Sequence, residues 1–448
     1  MRKLFIILSA VLVSASMMAE DHVMAATKGA GRQTQGESAP AALSLSMNEA
    51  QDYAVKQNRS LKNASLAVQE AYAARWQTIA AMLPQVDGSY SYSNYLGYSA
   101  TMTMQGREMT IDMPNVGAWT LTASVGLNGQ GIVGALLGTI AIDMKKIALE
   151  QNEDALRANV KTSYAAALVL QDIVNLMDSS LTNLERLAQM TQHSVDVGAA
   201  EQTAADQIMV RVNTIRDNIN SQKRNVELSL ASLKVLLDVP VTTELELTTS
   251  LDEVLSSEAV LQLLGENYNK ENNLNYQLLK KNVELAEKNV HMAGWAYGPT
   301  LSLAYNYTDQ HYYSDGGMRM TPPNVIQATV RMPLWSSGKR AAGVVEKKIA
   351  LEEARNTLAE TTDNLDIQYQ QLRYTLQNAY ESYLTQKENL EVTRRVFEST
   401  TNKYNYGSSS NLELINASND VISAQSSYVQ AVLTLVEANV ELDKFLNN

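Results

Sequence analysis

Residues 365–384 read LDIQYQQLRYTLQNAYESYL, and the spacing of their apolar side chains decides the fold. Tyr369, Leu376 and Tyr383 recur every seven positions, and Leu390, Phe397 and Tyr404 continue the row. A second row, Leu351, Leu358, Leu365, Leu372 and Ala379, leads the first by four. Two rows offset by four and repeating at seven are the a and d seam of a coiled coil. From Lys339 to Tyr406 there is no Pro, and no Gly between Gly343 and Gly407. The stretch therefore predicts one helix roughly 100 Å long. Helices of compact globular domains average about 11–12 residues. An element this long needs partners along its length, so one elongated unit is expected.

Composition narrows the function classes. The net charge of −12 disfavours nucleic acid as a partner. There is no cysteine, which removes disulfides, thiolate metal sites, cysteine nucleophiles and a lipidated N-terminal cysteine together. The four histidines, His22, His193, His291 and His311, never fall within one helical turn, so no histidine-based metal site is expected. No catalytic residues and no cofactor site stand out, and an enzyme reading has nothing to rest on. Residues 1–26 read as a secretory signal: Arg2 and Lys3 are basic, Leu4 to Val13 is a short apolar core, and Ala19, Ala25 and Ala26 offer cleavage between 19 and 26. No later run of about 18 apolar residues follows, so any membrane insertion must use β-strands.

Residues 27–45 are rich in Gly, Ala, Ser and Gln and are expected to be a flexible leader. Ser46-Met47-Asn48-Glu49 fits a helix-starting capping box. Helix then runs to Leu83, with a break near Asn58, and Pro84 ends it. Beyond Pro84 the period falls to two. Val86, Tyr90 and Tyr92 alternate with Asp87, Ser89, Ser91 and Ser93. After a Met- and Gly-rich loop at 98–114, Trp119, Leu121, Ala123, Val125 and Leu127 alternate with Thr120, Thr122, Ser124 and Gly126. Strands of about 10 residues with one apolar and one small polar face suit an outer-membrane barrel, and equally a soluble hairpin with one buried face. Gly134 to Val197 is a long helix with Val160, Ala167, Val174, Leu181, Ala188 and Val195 at sevens. A second helix reaches about Asp238, residues 241–255 are mixed, and a helix at 256–297 breaks near Asn272.

The same order of elements then returns. Residues 68–92 match 283–307 at a constant offset of 215, pairing Val68 with Val283, Ala71 with Ala286, Pro84 with Pro299 and Tyr90 with Tyr305. Gly198 pairs with Gly407 at an offset of 209. The chain reads as an internal duplication, 46–239 and 256–448, with β-hairpins at 85–127 and 300–335. The second hairpin has its own loop at 309–323, with Gly316-Gly317. Four strands cannot close a barrel, and open edges are not tolerated in lipid. Two copies would give 8 strands with a filled interior, and three would give 12 with room for a lumen.

The chain resembles the outer-membrane efflux proteins, the TolC-like channels, over roughly residues 46–446. Tyr404-Asn405-Tyr406-Gly407 and Ser410-Asn411-Leu412-Glu413-Leu414-Ile415-Asn416-Ala417 are similar to the family's tyrosine, glycine turn and following helix start. Val330-Arg331-Met332-Pro333-Leu334-Trp335 is similar to the segment that ends its last barrel strand. The resemblance implies a mostly α protein with membrane β. Its long antiparallel coiled coils would form a periplasmic α-barrel, and its four strands would join a 12-stranded β-barrel of a homotrimer. It implies an outer-membrane exit duct for an inner-membrane pump, joined by a periplasmic adaptor, in efflux or type I secretion. Departures are Leu127-Asn128-Gly129-Gln130 at the first strand-to-helix junction, Asn416 in place of a gate aspartate, and Ser409 in place of a basic residue. The rivals are an envelope coiled-coil adhesin, disfavoured by the matched β-segments, and a periplasmic adaptor, which has one helical hairpin rather than two.

Candidate site residues follow from this. One Glu413 per copy would make a ring of carboxylates at a narrowed tip, while Ser410 to Glu413 also fits a capping box. Asn416 extends that face by one turn. Tyr404 is a gate candidate or the last seam residue. Gly198 and Gly407 are turn glycines, and the resemblance adds that the adaptor docks at these tips. Trp119, Trp335, Tyr90 and Tyr305 are girdle candidates against lipid, or buried packing. Gly129-Gln130-Gly131-Ile132-Val133-Gly134 is a formal dinucleotide motif, but Glu153 falls inside a helical pattern rather than at a strand end. Its glycines are expected to let the chain turn from strand to helix.

Overall fold

The computed structural model describes residues 42–104, 106–198, 200–313 and 322–447. The signal segment, most of the leader and the Gly316-Gly317 loop lie outside the described residues. The chain divides into two compact units. The first contains Ala67–Lys145 and Leu279–Thr357, and the second contains 42–66, Lys146–Leu278 and Leu358–Asn448.

The first unit is built on a four-stranded antiparallel sheet, in the order β2-β5-β7-β8. Its strands are β2 (Gln85–Ser93), β5 (Val116–Asn128), β7 (Thr300–Tyr312) and β8 (Asn324–Arg331). The two hairpins join through β5 and β7, in register from Val116 opposite Tyr312 to Asn128 opposite Thr300. The expected Met- and Gly-rich loop is more ordered than its sequence suggests. Within it β3 (Ser99–Met104) and β4 (Arg107–Asp112) form a separate hairpin, with Gly106 in the left-handed region at φ +77°. Helix α2 (Arg59–Ala80) leads into β2, and α3 (Gly129–Asp196) follows β5 without a loop. Helix α7 (Leu274–Gly294) and a 3-10 turn (Trp295–Tyr297) precede β7, and α8 (Lys339–Asn405) follows β8.

The glycines at the start of α3 do a different job from the one expected. Neither Gly129, Gly131 nor Gly138 has a positive φ. Each is instead a point of close approach. A Cβ on Gly129 would overlap the indole of Trp295, one on Gly131 would stand 2.7 Å from the Met82 sulfur, and one on Gly138 would stand 2.9 Å from Arg75. Asn128 supplies the helix cap, its side-chain oxygen accepting from the Gly131 N–H at 2.6 Å. Glu153 lies within α3, paired with Arg157 one turn on, so the dinucleotide motif lacks its second strand.

The second unit is helical. Helix α1 (Met47–Gln57) begins at the expected capping box, with Ser46 and Glu49 exchanging both hydrogen bonds. The C-terminal part of α3, helix α4 (Gln202–Leu236), the C-terminal part of α8 and helix α9 (Asn411–Asn447) share one core. Both rows of the α8 seam point inward: Leu365, Leu376, Ala379, Tyr383, Leu390 and Phe397 are buried. Along α3 the row at Val160, Ala167, Val174 and Ala188 is buried in the same way.

A correction concerns the leader. Its last residues form β1 (Ala42–Leu45), which pairs in parallel with β6 (Glu244–Leu247). Two short helices, α5 (Leu251–Val254) and α6 (Ser257–Gly265), follow β6. Tyr164 ties this patch together. Its side chain is fully buried, and its hydroxyl donates to the Leu45 carbonyl at 2.8 Å and accepts from the Thr249 N–H at 3.1 Å.

Candidate functional site

In the first unit the register sorts the sheet into two faces. Trp119 stands opposite Tyr90, Ala123 opposite Tyr305, Leu127 opposite Leu301, and Tyr305 opposite Ile326. Val86, Leu121, Val125, Leu303 and Val330 share that face by alternation. The other face carries Ser89, Ser91, Thr120, Thr122, Ser124, Ser302, Asn306, Thr308 and Thr329. Across it Thr122 donates to Asn306 at 2.8 Å, and the hydroxyls of Thr120 and Thr308 lie 3.5 Å apart. The apolar face is uncovered: Trp119 is 63 % exposed, Val330 69 % and Ile326 75 %. A soluble hairpin would bury this face. An open apolar face backed by a hydroxyl-lined one is the arrangement of a strand wall between lipid and water.

The aromatic candidates take distinct places on this wall. The rings of Tyr90 and Trp119 lie 4.9 Å apart, toward the end of the sheet away from the helices. Sequence reading missed one neighbour there, Tyr313. Tyr313 hydrogen-bonds Tyr90 through their hydroxyls at 3.2 Å and stacks edge-on to Tyr92. Gly117 leaves room for them, because a Cβ there would stand 2.8 Å from the Tyr90 hydroxyl. Trp335 sits past β8, at the helix end, and is 86 % exposed. Tyr305 lies mid-strand, its hydroxyl donating to Asn324 at 2.8 Å. Aromatics thus stand at both ends of the apolar band, with Tyr305 within it.

In the second unit the remaining candidates gather at the helix turns. Gly198 ends the first long helix at φ +73° and Gly407 the second at φ +70°, the left-handed geometry that glycine adopts without strain. After Gly407 the Ser408 N–H returns to the Lys403 carbonyl at 2.8 Å. Thr191 is buried and donates to the Tyr404 hydroxyl at 3.5 Å. Each turn glycine lies within two helical turns of that contact, so both turns sit at one end of this unit. Tyr404 itself packs against the core. Glu413 and Asn416 are exposed. Glu413 accepts from the Ser409 hydroxyl and from the Ser410 N–H at 3.0 Å, while its own N–H reaches the Ser410 hydroxyl at 3.2 Å. The Ser409 hydroxyl, and then the Ser410 amide, hold the Glu413 carboxyl below the ordinary glutamate range. Ser409, where the family resemblance expected a basic residue, is therefore a hydrogen-bond partner of the carboxylate. Among the described residues no cluster of His, Asp and Glu could hold a metal ion, and no helix is long and apolar enough to cross a membrane.

The family model for outer membrane efflux proteins matches residues 51–238 and 269–448, most of the chain. The chain belongs to the outer membrane efflux protein family. No curated protein matches it in sequence. Solved structures share its fold at low identity. CusC is 16 % identical, covers 93 % of this chain and 96 % of its own, and superposes with a TM-score of 0.71. The CmeC outer membrane channel of Campylobacter jejuni is 17 % identical, with coverage of 90 % and 85 % and a TM-score of 0.67. VceC of Vibrio cholerae is 13 % identical, with coverage of 90 % and 96 % and a TM-score of 0.71. This efflux family is one of transport ducts rather than enzymes. The chain is accordingly an outer-membrane exit duct for efflux.

Proposed function

We propose that three copies close one 12-stranded barrel, each giving β2, β5, β7 and β8, and that their long helices continue the lumen as a periplasmic α-barrel. The observation that carries this is the sheet itself: its apolar face is open, its polar face is hydroxyl-lined, and among the described residues β2 and β8 are both unpaired edges. Unpaired edges are costly in lipid, and nothing among the described residues of one copy covers them. The repeated succession of helix, strand, strand and long helix supports a duplication of one unit. The duct is passive. A periplasmic adaptor docks at the turns around Gly198 and Gly407, and an inner-membrane pump supplies the energy. Glu413 and Asn416 line the aperture at the same tips, with Tyr404 holding the helix behind them.

The deciding measurement is the protein mass of the assembly extracted from outer membranes in detergent, by light scattering corrected for bound detergent. A mass near three chains is expected. A monomer would remove the shared barrel.

A further inference from the structure

The sheet ends in two free edges, and each carries one charge on the polar face: Asp87 on β2 and Arg331 on β8. No other residue of these four strands puts a charge on that face. Both side chains are exposed, and neither has an ion-pair partner among the described residues. We propose that Arg331 of one copy pairs with Asp87 of the next, across the seam where β8 meets β2. This rests on the closure by copies argued above and specifies how that closure is registered.

The register supports the match. β2 and β8 run in opposite directions, as an antiparallel seam requires. Arg331 stands opposite Thr300, and Thr300 opposite Asn128. On β5, Ser124 and Thr122 lie four and six residues before Asn128, and they stand opposite Gln85 and Asp87. Strands of membrane barrels tilt about 35–45°, lie about 4.8 Å apart and rise about 3.4 Å per residue. Each strand is therefore offset from its neighbour by about 1.0–1.4 residues, and four strands by about four to six. The offset must be even, because an odd one would turn hydroxyl side chains into lipid. An offset of six sets Arg331 directly opposite Asp87 of the next copy. An offset of four sets it opposite Gln85, with Asp87 as the diagonal neighbour, within reach of a long side chain. An offset in the other sense would place Arg331 beside helix α2, which offers no strand edge. Both allowed closures bring guanidinium and carboxylate together on the water side of the seam.

The chain has no cysteine, so an engineered disulfide reports only the positions chosen. Arg331→Cys is combined in turn with Gln85→Cys, Asp87→Cys and Ser91→Cys in the full chain, purified from outer membranes and oxidised. Covalent multimers on a denaturing gel are expected with Gln85→Cys or Asp87→Cys and not with Ser91→Cys. Linking that is strongest at Ser91→Cys would overturn the register. Asp87→Lys and Arg331→Glu should each lower the temperature at which the assembly dissociates, and the double swap should restore it. A double swap no better than the single changes would overturn the ion pair. The detergent mass of the unaltered protein keeps the two failures apart: a monomer removes closure by copies, whereas an oligomer without linkage removes only this pair.

Discussion

Trp119 stands directly opposite Tyr90 across β5 and β2, with their rings 4.9 Å apart and both exposed. In the proposed barrel their side of the sheet is the lipid side, and Thr120, one residue on, faces the lumen. Spin labels at Trp119 and Leu121 should be quenched by lipid-soluble relaxants, and a label at Thr120 by water-soluble ones. The reverse pattern would put every strand on the wrong face.

The buried hydroxyl of Tyr164 serves a carbonyl and an amide from two distant segments. Tyr164→Phe keeps the ring and strands the Thr249 N–H, while the Leu45 carbonyl keeps its bond from the Thr248 N–H at 3.1 Å. A loss of about 1–3 kcal/mol is expected for one unsatisfied buried polar group. It should appear as a lower midpoint in urea for the detergent-solubilised protein. An unchanged midpoint would mean that water takes the place of the hydroxyl.

Glu413→Gln should reduce the cation preference of single channels in planar bilayers, since it removes one carboxylate per copy from the proposed aperture. The pH dependence has a definite sign. The folded-state pKa is lowered, so the stabilisation from the carboxylate is present above the ordinary glutamate value and is lost as pH falls through the lowered one. Selectivity should therefore survive in acid where a free glutamate, with a pKa of about 4.3, is already half neutralised. Ser409→Ala should move the loss back toward that ordinary value. Selectivity indifferent to both substitutions would take Glu413 out of the constriction.

Gly129 and Gly126 lie three residues apart yet should differ sharply. A Cβ on Gly129 overlaps the Trp295 ring, while one on Gly126 meets nothing within 4 Å. Gly129→Ala should destabilise by about 1–3 kcal/mol through overpacking and lower the amount of protein in the outer membrane. Gly126→Ala should change little. Equal behaviour of the two variants would mean that the Trp295 ring moves aside freely.

What the sequence made legible was periodic. Leu376 and Tyr383 are buried where a seven-residue repeat puts them, and Trp119 and Thr120 take opposite faces as a period of two requires. What it hid was non-local or small. β1 is four residues long and its partner lies 202 residues away, so no local pattern could mark it. Tyr164 sits in an ordinary apolar helix row, and its two hydrogen-bond partners come from elsewhere in the chain. The β3–β4 hairpin alternates Thr with Met over only a few residues, and the Met and Gly content of the stretch made it read as loop. The glycines of α3 were legible as glycines but not as contacts, because a close approach depends on Trp295, Met82 and Arg75 arriving from other elements.

The pairing of Ala42–Leu45 with Glu244–Leu247 also sets an order of events. The chain is synthesised from its N-terminal side, so β1 is made first and β6 some two hundred residues later. At about 5–20 residues per second of synthesis, that gap lasts about 10–40 s. Throughout it β1 has no native mate, and its edge stays open to any passing strand. The patch around β1 is therefore a timing device as much as a clasp: it cannot lock until Glu244–Leu247 has followed Ala42–Leu45.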